Sequence, residues 1–309
     1  MTHLAINQIS KTRTNKPRER FDFTAKELLA DRRRMKPRSK KLPKIPRPRS
    51  VKLLQRRYYQ MLRQVILAMR ASIEKNVLPY IDGIVQMANF SRPGKVDSHA
   101  RADAYSDEIA FIIQLAKIQL LRQFPESFYK DLATTIALAT DDFSYQNINT
   151  IFEKVFGSSY SRFEPWVTQE VKGFVKANVD LITSIESTYF SKVEGIILRG
   201  AQKGKLSKDI GKEIKAEFGV TDRRAAFIAR DQVAKFNGNL TQLRQTQAGI
   251  SKYEWQTSED ERVRDSHREL NGKIFSWDDP PEVGNPGEDF NCRCVAIPVF
   301  EEPAADAPE

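Results

Sequence analysis

Apolar positions recur at helical spacing through most of the chain. Leu53, Leu54, Tyr58, Met61, Leu62, Val65, Ile66 and Met69 fall mostly three and four residues apart, which gathers them on one face of a helix. Pro93 and Gly94 interrupt the pattern between Ser91 and Ser98. A second stripe, Ile109, Ile112, Ile113, Ala116, Leu120 and Leu121, stops near Pro125, and shorter helical patterns follow over Leu132 to Ala139 and Ile148 to Phe156. After Pro165 a long stripe runs through Val167, Val171, Phe174, Ile182, Ile185 and Tyr189 towards Gly200. Two more helices are predicted from their punctuation, one capped by Ser207 and closed by Gly219, the other capped by Thr221 and closed by Gly249. On the latter, Ala226, Ala229, Val233, Phe236, Leu240 and Leu243 alternate steps of three and four, the rhythm of a helix packed on a helix.

Beyond Gly249 the period shortens to two. Tyr253, Trp255 and Thr257 alternate with polar residues, Lys273 to Trp277 repeats the alternation, and Val295 to Phe300 is a compact apolar run, so three short strands are predicted. A polar helix over Asp265 to Leu270, closed by Asn271 and Gly272, separates the first two. Trp255, Phe275 and Trp277 read as the core of this small unit, since alternating aromatics on short strands usually bury one face. The predicted fold is mainly α. It has a helical body over 51–200 and a C-terminal module over 201–300, two helices followed by a small α+β unit. A basic, Pro-rich, largely disordered arm over 1–50 precedes them and an acidic disordered tail over 301–309 follows.

Charge sharpens that division. Residues 1–50 carry sixteen Lys and Arg against four Asp and Glu, a local net charge of +12, which leaves −2 on the other 259 residues. Five of the fifteen prolines also lie in this arm, so it reads as a tether that does not fold alone. Its cations suit non-specific binding of double-stranded DNA through phosphate neutralisation, above all Arg32, Arg33, Arg34, Lys36, Arg38, Lys40, Lys41, Lys44, Arg47 and Arg49. A solvated tail, or an arm docked on an acidic protein surface, has the same composition. The two cysteines exclude a disulfide scaffold, and the polar first twenty residues lack a secretory signal, so a soluble protein from a reducing compartment is expected. Ala110 to Leu121, interrupted by Gln114, Lys117 and Gln119, falls well short of the roughly 20 apolar residues of a membrane span, and no membrane association is expected.

Candidate chemistry concentrates near the C-terminus. Cys292 and Cys294 flank Arg293 at the start of a predicted strand, so both thiols face the same side. With His267 as third ligand and Asp260 or Asp265 as fourth, they form a zinc-like set, and a structural zinc ion is the one candidate cofactor. A plain hydrogen-bonded arrangement of the same groups is the alternative; a disulfide between cysteines two apart on a strand would be strained. His267 also sits among Asp260, Glu261, Asp265, Glu269, Arg262, Arg264 and Arg268, a crowd that suits a metal-assisted or general-base site but equally a solvated helix start. No G-x-S-x-G, H-E-x-x-H or phosphate-cradling Gly loop is present, so the chain reads as a binding protein and not an enzyme. Arg230 and Asn237, seven apart on one helix face, are placed to hydrogen-bond the loop before the strands.

Taken together, Ala229-Arg230-Asp231 with Asn237, then Trp255, then Asp260-Glu261-Arg262-Val263-Arg264-Asp265-Ser266-His267 with Leu270, Gly272 and Phe275, and finally Asn291-Cys292-Arg293-Cys294, resemble the phage Mu F-like minor head family over about residues 205–300. In that resemblance Arg230, Asn237, Trp255, Arg264, Gly272 and Asn291 are motif positions with a structural role. It implies a virion protein made in the host cytoplasm and held in few copies inside the capsid at the portal vertex. There it would contact the portal protein, packaged DNA and capsid or scaffolding protein, with effects on head morphogenesis and on DNA packaging or ejection. The rival readings are a metal-dependent nuclease or other enzyme centred on His267, and a nucleic-acid-binding regulator with no virion role.

Overall fold

The computed structural model describes residues 44–90 and 98–300. The first 43 residues and the tail 301–309 lie outside this range, and with them most of the basic arm. The architecture is the expected one, a mostly helical protein ending in a small three-stranded sheet. In chain order the helices are α1 (Lys52–Asn76), α2 (Ile81–Phe90), α3 (Ser98–Gln123), α4 (Glu126–Phe156), α5 (Val167–Gln202) and α6 (Ser207–Gln247), with a 3-10 turn over Leu78–Tyr80. Then come β1 (Lys252–Gln256), the one-turn α7 (Asp265–Arg268), β2 (Ile274–Ser276) and β3 (Val295–Val299). No helix among the described residues is long and apolar enough to cross a membrane.

Two helix boundaries differ from expectation. The patterns over 132–139 and 148–156 belong to one helix, α4, because the buried side chains Thr140, Asp141 and Ser144 continue its inner face where the apolar pattern lapses. Gly219 and Thr221 likewise fall inside α6. A glycine costs about 1 kcal/mol in a helix interior relative to alanine. Packing outweighs that cost, since Ile210, Ile214, Ala225, Ile228, Ala229, Val233, Phe236 and Leu240 are buried on both sides of Gly219, with half-buried Phe218 and buried Thr221 bridging between them. Gly249 does close α6: with φ +74 it turns the chain, while the Ile250 N–H donates back to the Gln245 carbonyl at 2.9 Å.

The main core joins α1 to α6. Tyr58, Leu62, Ile66, Met69 and Ile73 of α1 pack with Ile109, Ile113 and Leu120 of α3, Tyr189, Phe190, Val193 and Ile197 of α5, and the stripe of α6. Leu53, expected on the same face of α1, instead lies exposed at the first turn. A second cluster fills the joint between body and sheet, where Ile148, Ile151, Phe152 and Val155 of α4 meet Tyr160, Ile250 and Phe300. In the sheet β1 is central and pairs antiparallel with both neighbours, Tyr253 opposite Phe275 on one side and Trp255 opposite Ala296 on the other. Its alternation leaves Tyr253 and Trp255 fully buried, and these rings with Trp277, Cys292, Cys294 and Ala296 form the third cluster.

A fully buried cation lies within this interior. Arg244, near the end of α6, is fully buried, yet donates from Nε to Glu164 at 2.7 Å, from a terminal nitrogen to Glu164 at 2.9 Å and to the Asp141 carboxylate, and from the other to the Asp141 carbonyl at 3.2 Å. Burial alone would lower its pKa, but the hydrogen bonds and charges of Glu164 and Asp141 more than offset that and raise it. Arg244→Ala is expected to cost about 3 to 5 kcal/mol of stability, because it strands two nearly buried carboxylates. Urea denaturation followed by circular dichroism measures this; Lys212→Ala, which removes an exposed pair with Asp209, should leave the midpoint nearly unchanged.

Candidate metal centre

α7 exists to place one side chain. Arg264, with extended backbone, starts the turn, and its carbonyl accepts from the His267 and Arg268 N–H groups at 3.1 and 2.9 Å. His267 thereby points inward, 2% exposed, with its ring edge-on to the Trp255 indole at 5.4 Å. Its Nδ1 lies 3.7 Å from Cys292 Sγ and 3.5 Å from Cys294 Sγ. Among the described residues these three, all buried, are the group whose ligand atoms converge, within 4.8 Å of one another. The cysteines sit in the turn just ahead of β3, and both thiols face the sheet interior.

His267 Nε2 faces the other way, 3.1 Å from Asp289 Oδ2. A carboxylate only accepts, so Nε2 carries a proton here, and Nδ1 is the nitrogen that faces the sulfurs. Asp289 is held in turn by Arg264, which donates to the same oxygen at 2.6 Å and to the Phe290 carbonyl at 2.7 Å. Cys292 is lowered to about 6, chiefly by a hydrogen bond from the Cys294 thiol. Donating that bond, together with burial, pushes Cys294 up.

The expected fourth ligands lie elsewhere. The Asp260 carboxylate is paired at two points with Arg293, at 2.6 Å through one oxygen and by a shorter contact through the other, and that partner holds its pKa below the usual carboxylate range. Asp265 is exposed on the outside of α7. Asp260 thus fixes the residue between the cysteines, and the acid behind the histidine is Asp289, which sequence reasoning missed. Its only signal was its place three positions ahead of Cys292, since the same loop also carries Asp278, Asp279, Glu282 and Glu288.

Helix α6 supports this loop from below. The contact expected of Arg230 and Asn237 is made by their neighbours. Asp231, buried, accepts from the Asn291 N–H at 2.9 Å and pairs with Lys235 at 3.0 Å. Asn291 needs that bond, since its φ of 51 is one that side chains other than glycine seldom adopt. The Arg230 side chain is exposed and its carbonyl accepts from Gln55, while Asn237 presents a buried Oδ1 with no partner to a cavity of about 390 Å³. Ser144, Gln245 and Ser258 also line that cavity with unpaired buried oxygens, and Cys292 and Cys294 border it. Gly272, with φ +78, turns the chain into β2 and donates to the Trp255 carbonyl at 2.8 Å.

Of the candidate DNA-binding cations, Arg32, Arg33, Arg34, Lys36, Arg38, Lys40 and Lys41 lie outside the described residues. Lys44 is exposed. Arg47 donates to the Thr257 carbonyl at 2.5 Å and approaches Glu259 at 3.7 Å; Arg49 bonds Asn147 and stacks on Phe143, 5.3 Å from the ring centre. Those two arginines hold the root of the arm on the protein.

Residues 191–297, about a third of the chain, match the family described as Phage Mu protein F like protein, a phage head morphogenesis family, as the motifs imply. The chain is similar to an uncharacterized protein of Haemophilus influenzae (strain Rd), 46% identical over 145 residues that cover 47% of this chain and 32% of that one. It is also similar to the uncharacterized protein MJ0329 of Methanocaldococcus jannaschii, 35% identical over 117 residues, 38% of this chain and 18% of that one. A third relative is the NAD(+)--arginine ADP-ribosyltransferase EFV of Enterococcus faecalis, 30% identical over 120 residues, 34% of this chain and 25% of that protein. The matches thus span a third or less of these curated relatives' own lengths. No solved structure matches the chain.

The support from α6 has a steric test. A Cβ on Gly238 would stand 2.6 Å from the Pro286 carbonyl oxygen, so the loop that carries Asp289 and Cys292 lies directly on the helix there. Gly238→Ala should lower stability by about 1 to 3 kcal/mol. Gly211→Ala, on the same helix with nothing within 4 Å, should raise it by up to about 1 kcal/mol. Thermal denaturation of both variants reads the contrast.

Proposed function

We propose that the protein is a minor head protein of a tailed bacteriophage, acting in head morphogenesis at the portal vertex, where it binds the portal protein and contacts DNA without sequence preference. The observation that carries this reading is the Mu F-like match over residues 191–297. In this reading the protein works by binding, positioned inside the capsid, with capsid or scaffolding protein as further neighbours and an influence on packaging or ejection.

Two physical features support it. The arm supplies a cationic segment of +12 for polyanions. The body supplies apolar surface for a protein partner: Phe111, Leu115, Ile118 and Leu121 recur every three or four residues along α3 and are exposed among the described residues. An enzymatic reading centred on His267 has less support, since that ring is 2% exposed and both its nitrogens are engaged. The transferase activity in one relative's name belongs to a protein of which this chain matches a quarter.

Mass spectrometry of purified virions tests the assignment: the protein should co-purify with particles in few copies per portal, and its absence from them refutes a head role. For the arm, a gel-shift salt series compares the full chain with one starting at Val51. If about six to eight phosphates are contacted, log affinity should fall against log salt with a slope of about −5 to −7, and the truncation should abolish most of it. Equal affinity of the two chains refutes DNA contact by the arm.

A further inference from the structure

The group formed by His267, Cys292 and Cys294 has the dimensions of a coordination shell. With zinc–sulfur bonds of about 2.3 Å and zinc–nitrogen bonds of about 2.0 to 2.1 Å at tetrahedral angles, sulfur and nitrogen ligands of one ion stand roughly 3.6 Å apart. The two sulfur-to-Nδ1 distances here are 3.7 and 3.5 Å. Thiol-to-imidazole hydrogen bonds span the same range, so the case for an ion rests on the distances together with how the donors are oriented. Two further observations go beyond packing. Asp289 takes up Nε2 of the ring and leaves Nδ1 as the nitrogen that faces both sulfurs, the arrangement that orients a metal-bound histidine. Arg264 and Asp231 then hold the Asp289 loop from two sides.

We propose that His267 Nδ1, Cys292 Sγ and Cys294 Sγ bind one zinc ion per chain, with a water molecule from the adjoining cavity in the fourth position and Asp289 as the positioning residue behind the histidine. The donor set, two thiolates and one imidazole, selects zinc over magnesium or calcium, which prefer oxygen. Three protein ligands fall one short of a fully enclosed structural site, and the described residues supply no further thiol, imidazole or carboxylate to the group. The cavity bordering both cysteines admits the water. The ion's effect is that of a staple. It ties α7 to the turn before β3 beside the bonds that Arg264 and Arg293 already make between these segments, and it keeps both sulfurs from oxidation. This inference is independent of the phage assignment, and its test does not involve DNA or a portal.

The test uses the full chain, purified without a histidine tag, and measures bound metal by plasma mass spectrometry. About one zinc per chain is expected, with a fall in melting temperature on chelation and recovery on adding zinc alone. Cobalt substitution should give the intense visible bands of a tetrahedral centre together with thiolate charge transfer. Cys294→Ser should lose the metal. Since that variant can also unfold, Asp289→Asn keeps all three ligands and should remain folded by circular dichroism while zinc affinity falls about 10- to 100-fold. Metal-free folded protein whose thiols react equally with and without added zinc overturns the proposal. So does a Cys292–Cys294 disulfide seen by mass spectrometry, or zinc binding unchanged in Cys294→Ser.

Discussion

A buried guanidinium holds the molecule at its joint. Desolvating a cation costs several kcal/mol even after relaxation, so Arg244 is tolerated in the interior only because two carboxylates and a carbonyl meet it in good geometry. Those partners come from different places in the chain: Asp141 from the middle of α4 and Glu164 from the segment between α4 and α5. One side chain of α6 therefore fixes the positions of two other elements. The next residue, Gln245, donates to the Ala296 carbonyl of β3 at 3.2 Å, so the same turn of helix also sets the sheet. Removing Arg244 would take from Glu164 its partner and from Asp141 the closer of two, Arg162 standing at 3.6 Å.

Helix α6 is accordingly shared between the body and the sheet. From Ile210 to Leu240 it supplies a stripe to the main core, while Asp231 and Gly238, about two turns apart, carry the loop that brings Asp289 and Cys292 to His267. The geometry of the Cys-His group thus depends on a helix whose other face belongs to the body core. That dependence explains why the helix runs through Gly219 without a break: a bend there would separate the stripe from the loop it supports.

Much of this was legible in the sequence, and what was not has identifiable causes. Period alone placed the stripes of α1, α5 and the second half of α6, and the alternation after Gly249 placed three strands. It failed where polar residues continue a buried face: Thr140 turns its hydroxyl back to the Ile136 carbonyl of the same helix, and Asp141 meets Arg244 of α6, a partner 103 residues away that leaves no local trace. Arg244 was invisible for the same reason. The site was half legible. Spacing and residue type brought His267, Cys292 and Cys294 together, but assigned Asp260 as a ligand where a two-point bond to Arg293 takes it. Pairing partners among many nearby charges are chosen by loop geometry, which only the assembled sheet determines.

The anchored end of the arm constrains what its charge can reach. Arg47 bridges to the Thr257 carbonyl and Arg49 to Asn147 and Phe143, so the chain enters the body at the seam between α4 and the segment that follows β1. Thirteen of the sixteen cations precede Lys44, on the far side of that anchor. The two anchoring arginines are already matched by a carbonyl, an amide oxygen and an aromatic face, so they add little free charge for a polyanion. Removing the cations before Lys44 should change salt-dependent binding, whereas the stretch from Arg47 to Arg49 belongs to the packed protein.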